Sequence, residues 1–484
     1  MKKIIPVVKG KTYEIEIHGF GSSGEGVGKF EGFTVFVPYA LPGELVEAQI
    51  EEVKKTYARG RLLKILRKSA DRVEPKCKVY HACGGCQLQH LSYEAQLKAK
   101  RQQVIDAVSR IGKRPDLFVG ETLPAEHPWN YRNKMQFPIG RRKDRTVIGC
   151  FAHGSHDIID THECHIQKQG NDAIVNAVRE IVDQLHISVY DEDRHTGVLR
   201  HVMGRVGKNG ELMAVLVTAT KELPKAREFV RLLREKVPKL TSIQQNIQTY
   251  HNNVILGRET KLLWGKPTIL DSLGRLDFHI SARSFFQVNS EQAEVLYNKA
   301  LEFAGLSGQE IVIDAYCGTG TITLFLARKA RRVYGIEIVK PAILDARQNA
   351  RDNHIKNAEF IVGDATVVMP KLYKQGIRPD VVVVDPPRAG CTPVVLETFA
   401  QMEPKRIVYV SCNPASLARD IAILDGVGYR AEKVQPVDMF PFSSHVETVC
   451  LLGRRKSDDT IKVSVNMDDY YQIRDAEEAE KKPS

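Results

Sequence analysis

The 484-residue chain is 43% hydrophobic and 27% charged, the make-up of a water-soluble protein too long for a single domain, and three domains are expected. No apolar run is long enough to cross a bilayer and Met1-Lys2-Lys3-Ile4 opens no signal-type segment, which excludes membrane and secreted classes and makes a cytoplasmic location the expectation. A formal charge of +11 favours a polyanionic partner, and nine cysteines in a reducing compartment read, where they cluster, as metal ligands or catalytic groups.

From about Lys9 to Arg67, β-branched and aromatic residues alternate with polar ones (Tyr13, Ile15, Ile17, then residues 34–37, 45–50 and 62–66), punctuated by glycines. Short strands at that spacing predict an OB-like β-barrel over residues 1–68. Its last part carries Lys54, Lys55, Arg59, Arg61, Lys64, Arg67 and Lys68 with Tyr57 among them, a face suited to nucleic acid.

Cys77, Cys83 and Cys86 follow as C-x5-C-x2-C, and the turn Cys83-Gly84-Gly85-Cys86 lets two sulfurs converge on one centre. A fourth ligand is required. Cys164, in His162-Glu163-Cys164-His165, is the candidate, with Cys150 set aside because it falls inside a predicted strand. Four thiolates suit zinc and an iron–sulfur cluster equally. Helical spacing of Leu97, Val104, Ile105, Val108 and Ile111 predicts a helix over 93–111, and residues 69–280 read as a mixed α+β central domain.

From Glu310 a regular β–α alternation begins, with strands predicted at 311–313, 333–337, 359–362, 381–384, 407–410 and 446–452. Near-continuous Val/Ile runs joined by helical patterns predict a parallel sheet covered on both faces, hence an α/β, Rossmann-like domain over 281–455. Residues 456–484 are polar and charged, and a mobile tail is expected.

The first of these strands ends in Asp314 and runs into a Gly318-Thr319-Gly320 turn, where glycines let the backbone approach a ligand at the carboxyl edge of the sheet. Glu337 closes the next strand, 23 positions after Asp314, where a carboxylate can accept from both hydroxyls of a ribose. The third strand ends in Gly363-Asp364, suited to an adenine amino group, and the fourth in Asp385. The third glycine of a dinucleotide fingerprint is missing, which favours an adenosyl group without phosphates, as in S-adenosylmethionine.

Asp385-Pro386-Pro387-Arg388 is close to the D-P-P-Y signature of amino-group methyltransferases, with arginine in place of the base-stacking aromatic. Cys412, in Ser411-Cys412-Asn413-Pro414, supplies different chemistry. C5 of a pyrimidine becomes nucleophilic only when a thiolate adds to C6, and the C5 proton must later go to a base. Glu447, in His445-Val446-Glu447-Thr448, is the candidate base. Cys317, inside the glycine turn, reads as a packing residue.

With these motifs and Phe285-Phe286-Gln287-Val288-Asn289, the chain resembles the RNA uracil-5-methyltransferase family over all but its tail. The resemblance implies that Gln287, Tyr316, Glu337 and Asp385 contact S-adenosylmethionine, Asp364 its adenine, with Cys412 as nucleophile and Glu447 as base, and it places RNA contacts near Arg132. Cys83-Gly84-Gly85-Cys86-x-Leu88-Gln89 resembles the ribosomal branch, whose members carry an N-terminal TRAM barrel and a [4Fe-4S] cluster. That likeness implies a cluster on Cys77, Cys83, Cys86 and Cys164, a helix 93–111 packed on the catalytic domain, and 23S ribosomal RNA as substrate. It treats the transfer-RNA branch as lacking barrel and cluster. The alternatives are a transfer-RNA uracil-5-methyltransferase, an amino-group methyltransferase, and a non-catalytic RNA-binding iron–sulfur scaffold.

Overall fold

Strands β1 (Thr12–Phe20), β2 (Gly26–Phe30), β3 (Phe33–Val37), β4 (Leu45–Val53) and β5 (Tyr57–Arg67) close into a barrel in the order β1-β2-β3-β5-β4 in the computed structural model, which describes residues 5–455. The expected tail, 456–484, lies outside the described residues. Alternation builds the barrel: Ile15, Ile17, Val35, Val37, Val46 and Ile50 point inward while their neighbours face water. Gly28 lies where β2 crosses β1, and a Cβ there would stand 2.3 Å from the Glu16 carbonyl. Part of the basic run in and around β5 faces the barrel's own acids, while Lys55, Lys64 and Lys68 join no ion pair among the described residues. Lys54 pairs with Glu52 (2.5 Å), Arg61 with Glu51 (3.1 Å) and Arg67 with Glu16 (2.7 Å), and Arg59 stands 3.9 Å from Glu52.

Helix α1 (Tyr93–Arg110) starts on a Ser92 cap whose hydroxyl accepts from the Ala95 amide at 3.4 Å. Its buried Val104 and Val108 join an apolar cluster with Leu417, Ile421 and Tyr429 from the far end of the chain. The short strand β6 (Phe118–Val119) then completes the edge of the catalytic sheet. A segment that precedes the central domain in sequence thus packs in the catalytic layer. Lys100 fixes it there: fully buried, it pairs with Asp438 and donates to the Phe440 carbonyl at 3.0 Å, while the Tyr93 hydroxyl donates to Asp438 at 2.8 Å. Such a charge is tolerated in the interior only because it is paired.

The central sheet takes β7 (Lys134–Arg142), β8 (Arg145–Phe151) and β9 (Ile158–Asp160), then, after α2 (Gln169–Gln184), β10 (Leu199–Val206) and β11 (Leu212–Thr218), and after α3 (Ala226–Lys236), β12 (Leu240–Ile247) and β13 (Glu259–Gly265), in the order β13-β12-β11-β10-β7-β8-β9. A hairpin of β14 (Ile269–Leu273) and β15 (Leu276–Ile280) leads to α4 (Ser290–Ala304).

The catalytic layer alternates β16 (Ile311–Ala315), α5 (Thr321–Ala327), β17 (Arg332–Glu337), α6 (Lys340–Asp352), β18 (Ala358–Val362), α7 (Ala365–Lys374), β19 (Val381–Val384), α8 (Pro393–Gln401), β20 (Arg406–Ser411), α9 (Pro414–Gly426), β21 (Tyr429–Val437) and β22 (Glu447–Arg454). The eight-stranded sheet runs β18-β17-β16-β19-β20-β22-β21-β6. The α/β Rossmann-like expectation holds, with a correction to the sheet. Two further strands, β21 and β6, extend it, and β22 is antiparallel to both β20 and β21. In β21 a register shift between Ala431 and Lys433 breaks the alternation that would have marked a strand.

Candidate active site

Parallel strands ending at one edge place their last residues around a common space, and the sequence puts carboxylates there. Asp314, next to last in β16, is fully buried, and Thr323 donates to its Oδ2 at 2.5 Å while Oδ1 has no partner. Burial pushes its carboxyl up to about 7, with Asp385 and Glu337 adding repulsion. The following turn carries Tyr316 at φ 65° and Gly320 at φ 83°, and a Cβ on Gly320 would meet the Phe360 ring at 2.9 Å. Glu337, at the end of β17, accepts from the amides of Gly318 (3.3 Å) and Val339 (2.9 Å), which ties the two loops together. Asp385, after β19, is partly exposed at the cavity, and its burial pushes it up to about 6.

Asp364 is placed differently. Its carboxylate caps α7, accepting from the Thr366 amide (2.8 Å) and hydroxyl (2.5 Å), which hold it below the usual carboxylate range. It does not line the cavity that the other strand ends share. Gln287 does, between β15 and α4, with its carbonyl accepting from Asn133 at 3.0 Å. Beside it the sequence reading missed Tyr297, fully buried on α4, whose hydroxyl faces Thr321 and the Gln287 side chain. Its signal was a tyrosine in the otherwise apolar stripe of Ala293, Leu296 and Ala300. Phe285, 73% exposed, presents its ring to the same space.

Cys412 follows the last residue of β20, and Glu447 begins β22. Their strands pair Ser411 with Thr448, and the Thr448 hydroxyl donates to the Ser411 carbonyl at 3.0 Å. One step further out, thiol and carboxyl face each other at the open end of the sheet. Burial pushes Cys412 up to about 11, and Glu447 and Asp385 add to the rise while Arg388 opposes it. Glu447, 5% exposed, is pushed up to about 8 by burial and by Asp385, again against Arg388. Arg388 is held by its neighbours: its carbonyl accepts from Asn413 at 3.1 Å and its guanidinium donates to Nδ1 of His445 at 2.8 Å. Because arginine only donates, Nδ1 is the acceptor and the His445 proton lies on Nε2. Cys317 is buried in the glycine turn.

A single cavity of about 1430 Å³ joins these groups to Arg132 and to the cysteine turn. There the Gly84 amide donates to Phe151 O at 3.1 Å and Cys83 bridges to Ala152, docking the turn on β8. Cys77, Cys83, Cys86 and Cys164 line this part of the cavity, half-buried. Burial pushes Cys86 and Cys164 each up to about 12. Cys150, set aside from this group, does lie in β8, yet its thiol stands in hydrogen-bond reach of Cys83 and holds the Cys83 thiol down, to about 7. Five thiols therefore line this part of the cavity. No three Cys, His, Asp or Glu side chains among the described residues stand close enough to hold a single ion.

The strand-end carboxylates and sheet order define an S-adenosylmethionine methyltransferase fold joined to a small barrel. The tRNA (Uracil-5-)-methyltransferase family pattern matches residues 227–455, and the TRAM domain matches residues 6–63. An uncharacterized RNA methyltransferase of Clostridium tetani is 52% identical over 93% of this chain and 98% of its own, and another from Halalkalibacterium halodurans is 50% identical over 93% and 99%. The solved structure of Pyrococcus abyssi tRNA (uracil-54, C5)-methyltransferase in complex with S-adenosyl-L-homocysteine is 31% identical and superposes with a TM-score of 0.74, over 91% of this chain and 99% of that one. The chain belongs to the RNA uracil-5-methyltransferase family and is an S-adenosylmethionine-dependent enzyme of it.

Proposed function

We propose that this enzyme methylates C5 of a uridine in 23S ribosomal RNA through an adduct between Cys412 and C6 of the base. The carrying observation is the register that sets Cys412 opposite Glu447 in one cavity with Asp314, Glu337 and Asp385. Cys412 Sγ adds to C6, and C5, now enolate-like, takes the methyl group. Glu447 removes the C5 proton, and the C6–S bond breaks to release the methylated base. S-adenosylmethionine supplies the methyl as a sulfonium. Gln287, Tyr316, Glu337 and Asp385 are assigned to bind it, and Asp364 to meet its adenine from the rim. The unpartnered Oδ1 of fully buried Asp314 is added to this set, because a cationic donor offsets its burial.

Cys77, Cys83, Cys86 and Cys164 are assigned to hold a [4Fe-4S] cluster in a structural role. The donor set fits in kind: all four are thiols, half-buried, and line one cavity. We assign RNA affinity to the barrel (1–68), the cluster to the central segment (69–280), methyl transfer to 281–455, and a cytoplasmic site of action. Among the described residues no helix is long and apolar enough to cross a membrane. The cysteine motif supports the ribosomal reading, and the likeness to the Pyrococcus enzyme favours transfer RNA as the second reading. Mapping 5-methyluridine in both RNA classes from a strain lacking the gene decides. One missing 23S position supports the proposal, a missing transfer-RNA position supports the alternative, and no missing position refutes both.

A further inference from the structure

Behind the catalytic loops lies a second space of about 840 Å³. His18, Phe20 and Lys29 of the barrel form one wall, and Lys98, Gln102 and Arg110 of α1 the other. Its floor is Pro414 and Ala415, just past Cys412, and Ser444, next to His445. Cys412 and His445 themselves line the first cavity, so the two spaces meet at these loops. The barrel touches the loop at Gly24: its φ is +86°, and a Cβ there would stand 3.3 Å from Ser444 Cβ and 3.2 Å from Gln87 Cβ. The groove therefore starts at the catalytic loops and runs away from them between barrel and helix.

Position separates this groove, which opens at the catalytic loops, from the basic face of β5. There Arg59, Arg61 and Arg67, with Lys54 just before the strand, face glutamates within 4 Å, while Lys55, Lys64 and Lys68 join no ion pair among the described residues. Lys29 and Lys98 are exposed and join no ion pair among the described residues. Phe20 offers a ring on which a base can stack. From Lys98 to Arg110 the helix rises about 18 Å, the length of roughly five stacked nucleotides at about 3.4 Å each.

We propose that the groove between the barrel and α1 carries the single-stranded RNA next to the target uridine, and that the glutamate-paired Arg59 and Arg61 of β5 do not. A nucleotide splayed into the first cavity leaves its neighbour one phosphodiester away, at the mouth of the groove. The inference rests on the site being that of an RNA methyltransferase and names the track its substrate follows.

The test uses the full-length enzyme and a single-stranded oligoribonucleotide with one central uridine flanked by 4-thiouridine. Lys29→Ala with Lys98→Ala should lower the slope of log affinity against log salt by about 1.4, two contacts at about 0.7 each. Arg59→Ala with Arg61→Ala should leave it unchanged. Photo-crosslinks to residues 12–30 or 93–110 support the groove. Crosslinks confined to β5 or the central sheet, or a slope lost only in the arginine variant, overturn it. Methyl transfer by the same preparations to RNA from cells lacking the gene, scored as 5-methyluridine, checks the underlying reading separately. A wild-type enzyme that forms 5-methyluridine beside lysine variants that bind RNA normally refutes the groove alone.

Discussion

Cys412 and Glu447 occupy facing positions one residue beyond the Ser411–Thr448 pair, where β20 and β22 part. An antiparallel partner is what makes this possible. A parallel strand in the place of β22 would end at the same edge as β20 but would leave by a helix, whereas β22 enters the sheet there and brings its first residue against the end of β20. Glu447 makes Cys412 harder to ionise, Asp385 does so to both groups, and Arg388 opposes the rise in both.

Removal of the thiol should stop chemistry and spare cofactor binding, because the adenosyl pocket lies on other strands. Cys412→Ala should lower turnover by on the order of 10⁴-fold or more while S-adenosylhomocysteine affinity stays near wild type. Glu447→Gln should still form the adduct but resolve it roughly 10²–10⁴-fold more slowly, so a methylated protein–RNA species should build up on denaturing gels. RNA containing 5-fluorouridine should trap the wild-type enzyme, since fluorine does not leave as a proton does. Robust methylation by Cys412→Ala would end the covalent reading.

The pH dependence follows from the same pair. Glu447 acts as a base only when ionised, so turnover should rise as pH climbs toward about 8, and the thiolate fraction of Cys412 continues to grow toward about 11. Between pH 6 and 9 only a rising limb is expected. Arg388→Ala removes the cation that favours both ionised forms, so its limb should move to higher pH and its deficit should be larger at pH 7 than at pH 9. A deficit independent of pH would leave Arg388 with no electrostatic part.

Asp314 gives a stability prediction whose sign can be worked out. Its folded value of about 7 lies above the ordinary 3.8, so its favourable contribution is complete below about pH 4 and is lost as pH rises through 7. Without cofactor, Asp314→Asn should therefore melt above wild type at pH 8, by the equivalent of up to about 4 kcal/mol, and close to wild type at pH 4. The same variant should bind S-adenosylhomocysteine more weakly. Equal melting differences at both pH values would show that burial of the charge is not the cause.

What could be read from sequence follows the range of the interactions involved. The run Val381–Val384 and the carboxylates closing β16, β17 and β19 are local patterns with one physical meaning, and Cys412 was identifiable because a reactive group at a strand end has few structural uses. Asp364 shares that strand-end position, but whether its carboxylate faces a ligand or turns back on Thr366 depends on one side-chain rotation. The packing of α1 in the catalytic layer depends on partners such as Asp438, 338 positions from Lys100. Residues so far apart carry no shared period, and only resemblance pointed there. Cys150 shows the limit of a local reading from the other side. Strand membership was legible, yet the side of the strand facing Cys83 was fixed by the docking of Gly84 on Phe151, a contact between distant segments.

That docking leads to the last prediction. The amides of Gln87 and Leu88, just past Cys86, donate to the Phe442 carbonyl at 3.0 and 2.9 Å, and Trp129 stacks on Phe442 at 3.7 Å beside Cys164 and Cys86. Phe442 lies five residues before Glu447, so the cysteine turn braces the loop that leads to the base. Cys164→Ser should lose iron and the brown colour of anaerobically purified protein, and hydrogen exchange should quicken in residues 438–447. Cys150→Ser should keep its iron, because the proposed ligand set is complete without it, and should alter exchange only near β8. If Cys150→Ser loses iron while Cys164→Ser retains it, the fourth ligand is Cys150. Colourless wild-type protein with stoichiometric zinc would replace the cluster by a metal ion on the same thiols. If iron is lost from Cys164→Ser and exchange in 438–447 is unmoved, the turn does not brace the catalytic loop.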